Sequence, residues 1–168
     1  MSSNKKKKLI NTLLIIILLL CLAPINTLAA GFPNEPDGFR GIKWGTDIKT
    51  LKDMKYLINY EDVIDMYSRD KDKLFFGKAK IGSIHYIFYK DKFFAVRIHT
   101  DGAKEFEVFK KAIFKQYGEG QHPERIGNLE RWIWYGKITD MVLEYNLSNE
   151  ETIFHMWSVE IEEEIEKE

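Results

Sequence analysis

Four histidines, His85, His99, His122 and His155, are the side chains of this 168-residue chain best suited to proton transfer or to holding a metal. His99 leads them for acid–base work, because it stands at the end of an extended run beside Thr100 and Asp101. His85 and His155 lie in extended stretches among apolar neighbours and read as packed within the fold. His122 precedes Pro123 in a polar loop, where Glu119 and Glu124 would complete no more than a weak metal site. Asp62, Asp65, Asp70 and Asp72 form an acidic cluster, but their spacing is not that of a calcium-binding loop and Lys71 and Lys73 neutralise it. The chain has no glycine-rich phosphate loop, no HExxH, no GxSxG and no paired cysteines. The residues therefore assign no catalytic group, no metal and no cofactor.

Aromatic area is what the chain holds in quantity, at 14% of residues. Trp132, Trp134, Tyr86 and Phe88 fall at alternating positions of two extended runs, so each pair shares one face of a strand. That face, left open, would suit a protein partner or an apolar ligand.

Composition narrows the rest. Lys5 to Lys8 precede an almost unbroken apolar run from Leu9 to Ala23, Pro24 ends it, and Thr27-Leu28-Ala29 offers small residues at a cleavage site. Residues 1–29 are expected to be a secretory signal, which places the mature protein in the periplasm or outside the cell. From Leu13 the apolar run is shorter than the ~20 residues a spanning helix needs, though counting from Leu9 leaves an uncleaved anchor as the alternative. Leu20 before Cys21 is not what a lipoprotein signal has. Without the signal the chain carries 21 basic against 26 acidic residues and no cysteine. Disulfides are thereby excluded, and so is a basic stripe able to follow a phosphate backbone; neither nucleic-acid binding nor stable membrane insertion is expected.

The elements follow from periodicity. Gly31 to Gly38, rich in proline and glycine, is expected to be a flexible lead-in beginning at residue 30. Thr46 is expected to cap a helix from Asp47 to about Lys55, with Ile48 and Leu51 on its buried side. Val63 to Tyr67 and Leu74 to Phe76 read as strands. Ser83 to Thr100 reads as a hairpin reversing at Lys90-Asp91-Lys92, with Ile87 opposite Val96 and His85 opposite Ile98, a register that sends His85 and His99 to different faces. Phe106, Phe109, Ile113 and Tyr117 recur at helical spacing, which predicts a helix over Ala103–Tyr117 ended by Gly118. A second hairpin around Gly136-Lys137 puts Trp132 and Trp134 with Thr139, Met141 and Leu143, the glycine being expected for a type II′ turn. A strand from Thr152 to about Ile161 follows. The sum is one α+β domain, residues 39–168: an antiparallel sheet of about six strands with two helices on one face, in the order helix, three strands, helix, three strands.

Phe39-Arg40-Gly41-Ile42-Lys43-Trp44-Gly45-Thr46, the Tyr89–Phe93 reversal, Tyr117-Gly118 and Trp134-x-Gly136 together resemble a group of small exported bacterial proteins of unknown function. In order of elements the chain is also similar to the β-lactamase inhibitor protein and to the small lipoprotein of the outer-membrane assembly machine, a likeness of architecture that carries no function. The expectation is a non-catalytic periplasmic or secreted binding or assembly module. A small hydrolase using His99 with a nearby carboxylate and a signal-anchored membrane-associated protein are the alternatives.

Overall fold

The computed structural model describes residues 31–60, 63–123 and 125–167; the expected signal, residues 1–29, lies outside them, as do Asp62 and Glu124. Eleven strands are present among the described residues. Seven of them build one antiparallel sheet in the order β3 (Met54–Tyr60), β4 (Ile64–Arg69), β7 (Ser83–Tyr89), β8 (Lys92–Asp101), β11 (Glu151–Ser158), β10 (Thr139–Asn146), β9 (Leu129–Trp134). Two small hairpins stand apart from it, β1 (Gly38–Phe39) with β2 (Ile42–Lys43) and β5 (Phe75–Phe76) with β6 (Ala79–Lys80). The α+β class holds, with one more strand than expected and a different helix order.

One long helix organises the core. Helix α1 (Ala103–Tyr117) leaves β8 at the centre of the sheet and leads the chain to the far edge, from which β9, β10 and β11 meander back to pair with β8. Its Phe106, Phe109, Ile113 and Tyr117 are buried at steps of three and four, as their spacing predicts. Phe106 stacks on Tyr145, and Phe109 meets Phe76 and Phe154 edge-on. Gly118 ends the helix with φ 78°, its N–H returning to the Phe114 carbonyl.

The first expected helix does not form. Asp47 caps a single 3-10 turn, Ile48–Thr50, by accepting from the Lys49 N–H, and the chain then extends into β3. Within β3 the aromatic Tyr56 and the β-branched Ile58 favour the extended chain. The β1–β2 hairpin and Trp44 cover the inner face of β7 and the start of β8 instead, with Phe39 against Tyr86 and Trp44 against Phe93. Residues 31–37, expected as a loose lead-in, are fastened along the domain: Asn34 Nδ2 donates to the Gln116 carbonyl, and Glu35 Oε1 accepts from the Ile138 and Thr139 N–H groups at 2.5 and 3.0 Å. The second helix, α2 (Val159–Ile165), is a short C-terminal turn after β11, capped by Ser158, and not a second cover for the inner face.

The central hairpin exists, with a different register. Lys90 and Asp91 both take positive φ, 46° and 66°, giving a two-residue reversal that pairs Tyr89 with Lys92. A bulge then inserts Phe94 into β8, so that Ile87 meets Ala95, Tyr86 meets Val96 and His85 meets Arg97. The one-residue shift is absorbed by the bulge, with no three-residue loop needed. His85 and His99 consequently share a face, against the expected register. At the second hairpin Gly136 is needed for space: a Cβ there would sit 2.2 Å from the Thr139 carbonyl oxygen and 2.3 Å from Glu35 Oε1. Its backbone is not left-handed, so the type II′ reason does not apply.

Candidate binding face

The sheet has two unequal faces. The inner one, under α1 and the N-terminal segment, is buried position by position along β7, β8, β10 and β11, whereas the alternate residues of these strands that point outward are mostly half-buried. The four aromatic residues expected to form a docking surface belong to the inner face. Trp132 is 5% exposed, Trp134 3%, Tyr86 and Phe88 0%, and all four belong to the hydrophobic core. The alternation that places each pair on one face was legible; which face α1 would cover was not, because both faces carry apolar residues. Trp132 lies between Phe106 of α1 and the His122 ring, stacked at 4.5 Å, and Trp134 Nε1 donates to the Gly118 carbonyl. They are framework, buried in the core, and do not form the open docking face expected of them.

Tyr86 alone among the four reaches a surface feature, and with its hydroxyl only. That O–H donates to Asp72 Oδ2 at 2.7 Å, Asp72 also pairs with Arg40, and Arg40 donates to the Phe75 carbonyl. Burial, and then the bond to Asp72, hold the phenol well above the usual tyrosine range. Arg69 pairs with Asp53 beside them at 2.5 Å. Arg40, Asp72, Arg69 and Asp53 line an open cleft of about 600 Å³ with Lys71, Lys73 and the exposed ring of Phe75. Both arginines are consumed by carboxylates, so the cleft ties the segment 70–77 to the N-terminal hairpin and leaves the two lysines at its rim.

The outer face presents a different chemistry. Three central strands set His85, Arg97 and His155 directly opposite one another, and His99 stands one position pair further along β8. Arg97 Nε donates to His155 Nε2 at 2.6 Å, which requires a neutral imidazole as acceptor. Burial first and Arg97 second push the His155 pKa down to about 4; the same causes, with His99 added, lower that of His85. His99 Nε2 approaches Glu151 Oε1 at 3.2 Å and Asp101 Oδ1 at 3.4 Å. Arg131 pairs with Glu144 toward the β9 edge. Among the described residues no carboxylate lies within ion-pair distance of the exposed Arg97, whose one hydrogen-bond partner is an imidazole.

On one side of that row and at its β9 end the outer face is apolar, while on the other side stand His99, Glu151, Glu144 and Arg131. Ile87, Ala95, Trp157, Val142 and Ile133 flank it, half-buried except for the fully buried Ala95. At one end α2 brings Glu162 beside Trp157 and Asp140, and burial raises both carboxyls. Neither Arg97 nor His155 lines a described cavity, while His85 lines an open one of about 390 Å³ with Ser83 and Leu57. His122, the loop histidine considered for a metal, is committed elsewhere, with Nδ1 2.8 Å from the Arg131 carbonyl oxygen as its ring lies on Trp132. No three His, Cys, Asp or Glu side chains converge to hold a metal among the described residues, and no described helix is long and apolar enough to cross a membrane.

Fold and face together define a single-layer α+β domain: an antiparallel sheet clad on one side and open on the other. Comparison with known protein families, with curated proteins and with solved structures returns no match for this chain.

Proposed function

We propose that this is an exported, non-catalytic binding or assembly module that holds a partner against the outer face of its sheet. The observation that carries the reading is the asymmetry of the sheet. Strands at its centre bury one side completely, yet leave on the other a half-buried row of apolar and imidazole groups with an exposed guanidinium, unpaired with any described carboxylate, in the middle. Solvent-accessible apolar area marks a contact surface, and arginine is the charged residue enriched in protein contacts. The signal read in residues 1–29 supports export, and the likeness to small exported bacterial proteins rests on its residues alone.

The runner-up is a hydrolase with His99 as its base. It is favoured by the two carboxylates beside His99 Nε2 and by Ser83, which is paired with His99 across the strands. Against it, no hydroxyl is hydrogen-bonded to His99 among the described residues, and His99 lies outside the lining of every described cavity. Capture of partners from an extract of the source cell separates the readings. The mature chain should retain a partner that the outer-face variant Val142→Asp loses, while Lys78→Ser, on the opposite side of the domain, retains it. Equal retention by Val142→Asp would sink the sheet-face reading.

A further inference from the structure

The uncovered face has a centre and a surround, and their chemistry differs. At the centre Arg97 is exposed, it donates one N–H to an imidazole, and the rest of its guanidinium fork is unused by any described residue. His85 flanks it from β7 and His155 from β11. The acids of the same face lie away from Arg97: Glu151 and Asp101 beside His99, Glu144 against Arg131, Asp140 by the Gly136 N–H at the sheet's end, and Glu162 beside Trp157. An arginine held by a neutral acceptor keeps its full charge and its planar fork of donors. The groups that complete such a fork bidentately are carboxylate and phosphate, of which the carboxylate is the one an unmodified protein partner carries. The flanking Ile87, Val142 and Ile133 exclude water from the rim once covered, which strengthens the central pair.

We propose that the outer face docks an acidic segment of another protein, with a Glu or Asp carboxylate on Arg97 and apolar residues to either side on Ile87, Val142 and Ile133. The proposal rests on the sheet-face reading above and adds the partner's chemistry to it. A second copy of this chain is disfavoured as the occupant, because a two-fold axis through the centre of the face would set Arg97 against its own image. A small carboxylate is disfavoured as well, since Arg97 lines none of the described cavities and so would bury too little of it.

The test selects a phage-displayed library of 12-residue peptides on the immobilised mature protein and measures binding of the recovered peptides to wild type, Arg97→Gln and Val142→Asp. Melting curves confirm that each variant folds. Peptides with Asp or Glu beside Leu, Phe or Trp should be enriched. Changing that acid to its amide should weaken binding to wild type tenfold or more and leave binding to Arg97→Gln nearly unchanged, and added salt should reduce the acidic peptide's affinity. Enrichment without acids, or acidic peptides that bind Arg97→Gln as well as wild type while losing Val142→Asp, would overturn the carboxylate assignment and leave the face itself standing. Peptides indifferent to both substitutions would overturn face and assignment together. Sedimentation that shows a dimer dissolved by Val142→Asp, with Arg97 in its contact, would replace the acidic partner by a second copy and overturn the proposal.

Discussion

At the scale of single residues, His155 converts burial into a pH dependence. Its imidazole is neutral in the fold, with a pKa pushed down to about 4 by burial and by Arg97, against an ordinary 6.5 once the chain unfolds. As pH falls below about 6.5 the unfolded chain binds a proton that the folded chain refuses, so stability present above that pH is lost progressively until the folded group also titrates near 4. The charged and titratable groups facing it are Arg97 and His99 on β8, His85 on β7, and Asp140 and Glu144 on β10. The raised carboxyls of Asp140 and Glu162 act in the opposite sense, since they favour the folded state as acid is added. The contribution of His155 is isolated by His155→Gln, which keeps an acceptor for Arg97 and removes the titration. Between pH 7 and 4.5 the melting temperature of the wild type should fall more than that of His155→Gln. Parallel curves would mean that the imidazole is solvated in the fold.

At the scale of elements, the N-terminal segment does what the missing first helix was expected to do. Glu35 supplies the acceptor for two N–H groups at the β9–β10 reversal, Thr139 Oγ1 donates to the Pro36 carbonyl at 2.5 Å, and Trp44 Nε1 donates to Thr139 Oγ1 at 2.6 Å. Glu35→Ala leaves both N–H groups without their partner, one of them on the buried Thr139, and should cost about 1–3 kcal/mol in chemical denaturation. Asp37→Ala, which removes an exposed pair with Lys43, should leave stability nearly unchanged. Equal effects would show that the segment only lies alongside the domain. None of this was legible in GFPNEPDG, where proline and glycine signal a loop but not whether it docks. Helix α1 was legible to the residue because a periodic aromatic stripe and a terminal glycine agree there. The hairpin register was not, because a bulge at Phe94 obeys no local pattern, and with it went the grouping of His85, Arg97 and His155 across three strands. That grouping depends on β11 pairing with β8, a contact made only after the chain has passed through α1 and two more strands.

At the scale of the whole molecule, the cladding is uneven, and stability should follow it. Helix α1 packs its four buried anchors on the half of the sheet that includes β11, β10 and β9, each anchor contributing on the order of 1.5–3 kcal/mol by its burial. The other half is covered by a two-residue hairpin pair and one 3-10 turn, and ends in β3, where Tyr56, Leu57 and Ile58 are 54, 43 and 44% exposed. The two edges also differ. Gln121 exchanges two backbone hydrogen bonds with Ile133 and so shields β9, while β3 is interrupted by a bulge at Leu57. Opening β3 and β4 therefore uncovers little apolar area, whereas opening β8 or β11 dismantles the core. Native-state hydrogen exchange under increasing denaturant should show the amides of β8, β10 and β11 exchanging only through global unfolding, with β3 and β4 exchanging through a smaller opening of lower free energy. The distinction bears on the proposed function, because the strands that carry Arg97 and His155 would then belong to the most rigid part of the domain, and a partner docking there would meet a surface already ordered. If the exchange of β3 and β4 merges with the global process at low denaturant, the sheet is one cooperative unit and the preordered face extends to its edge.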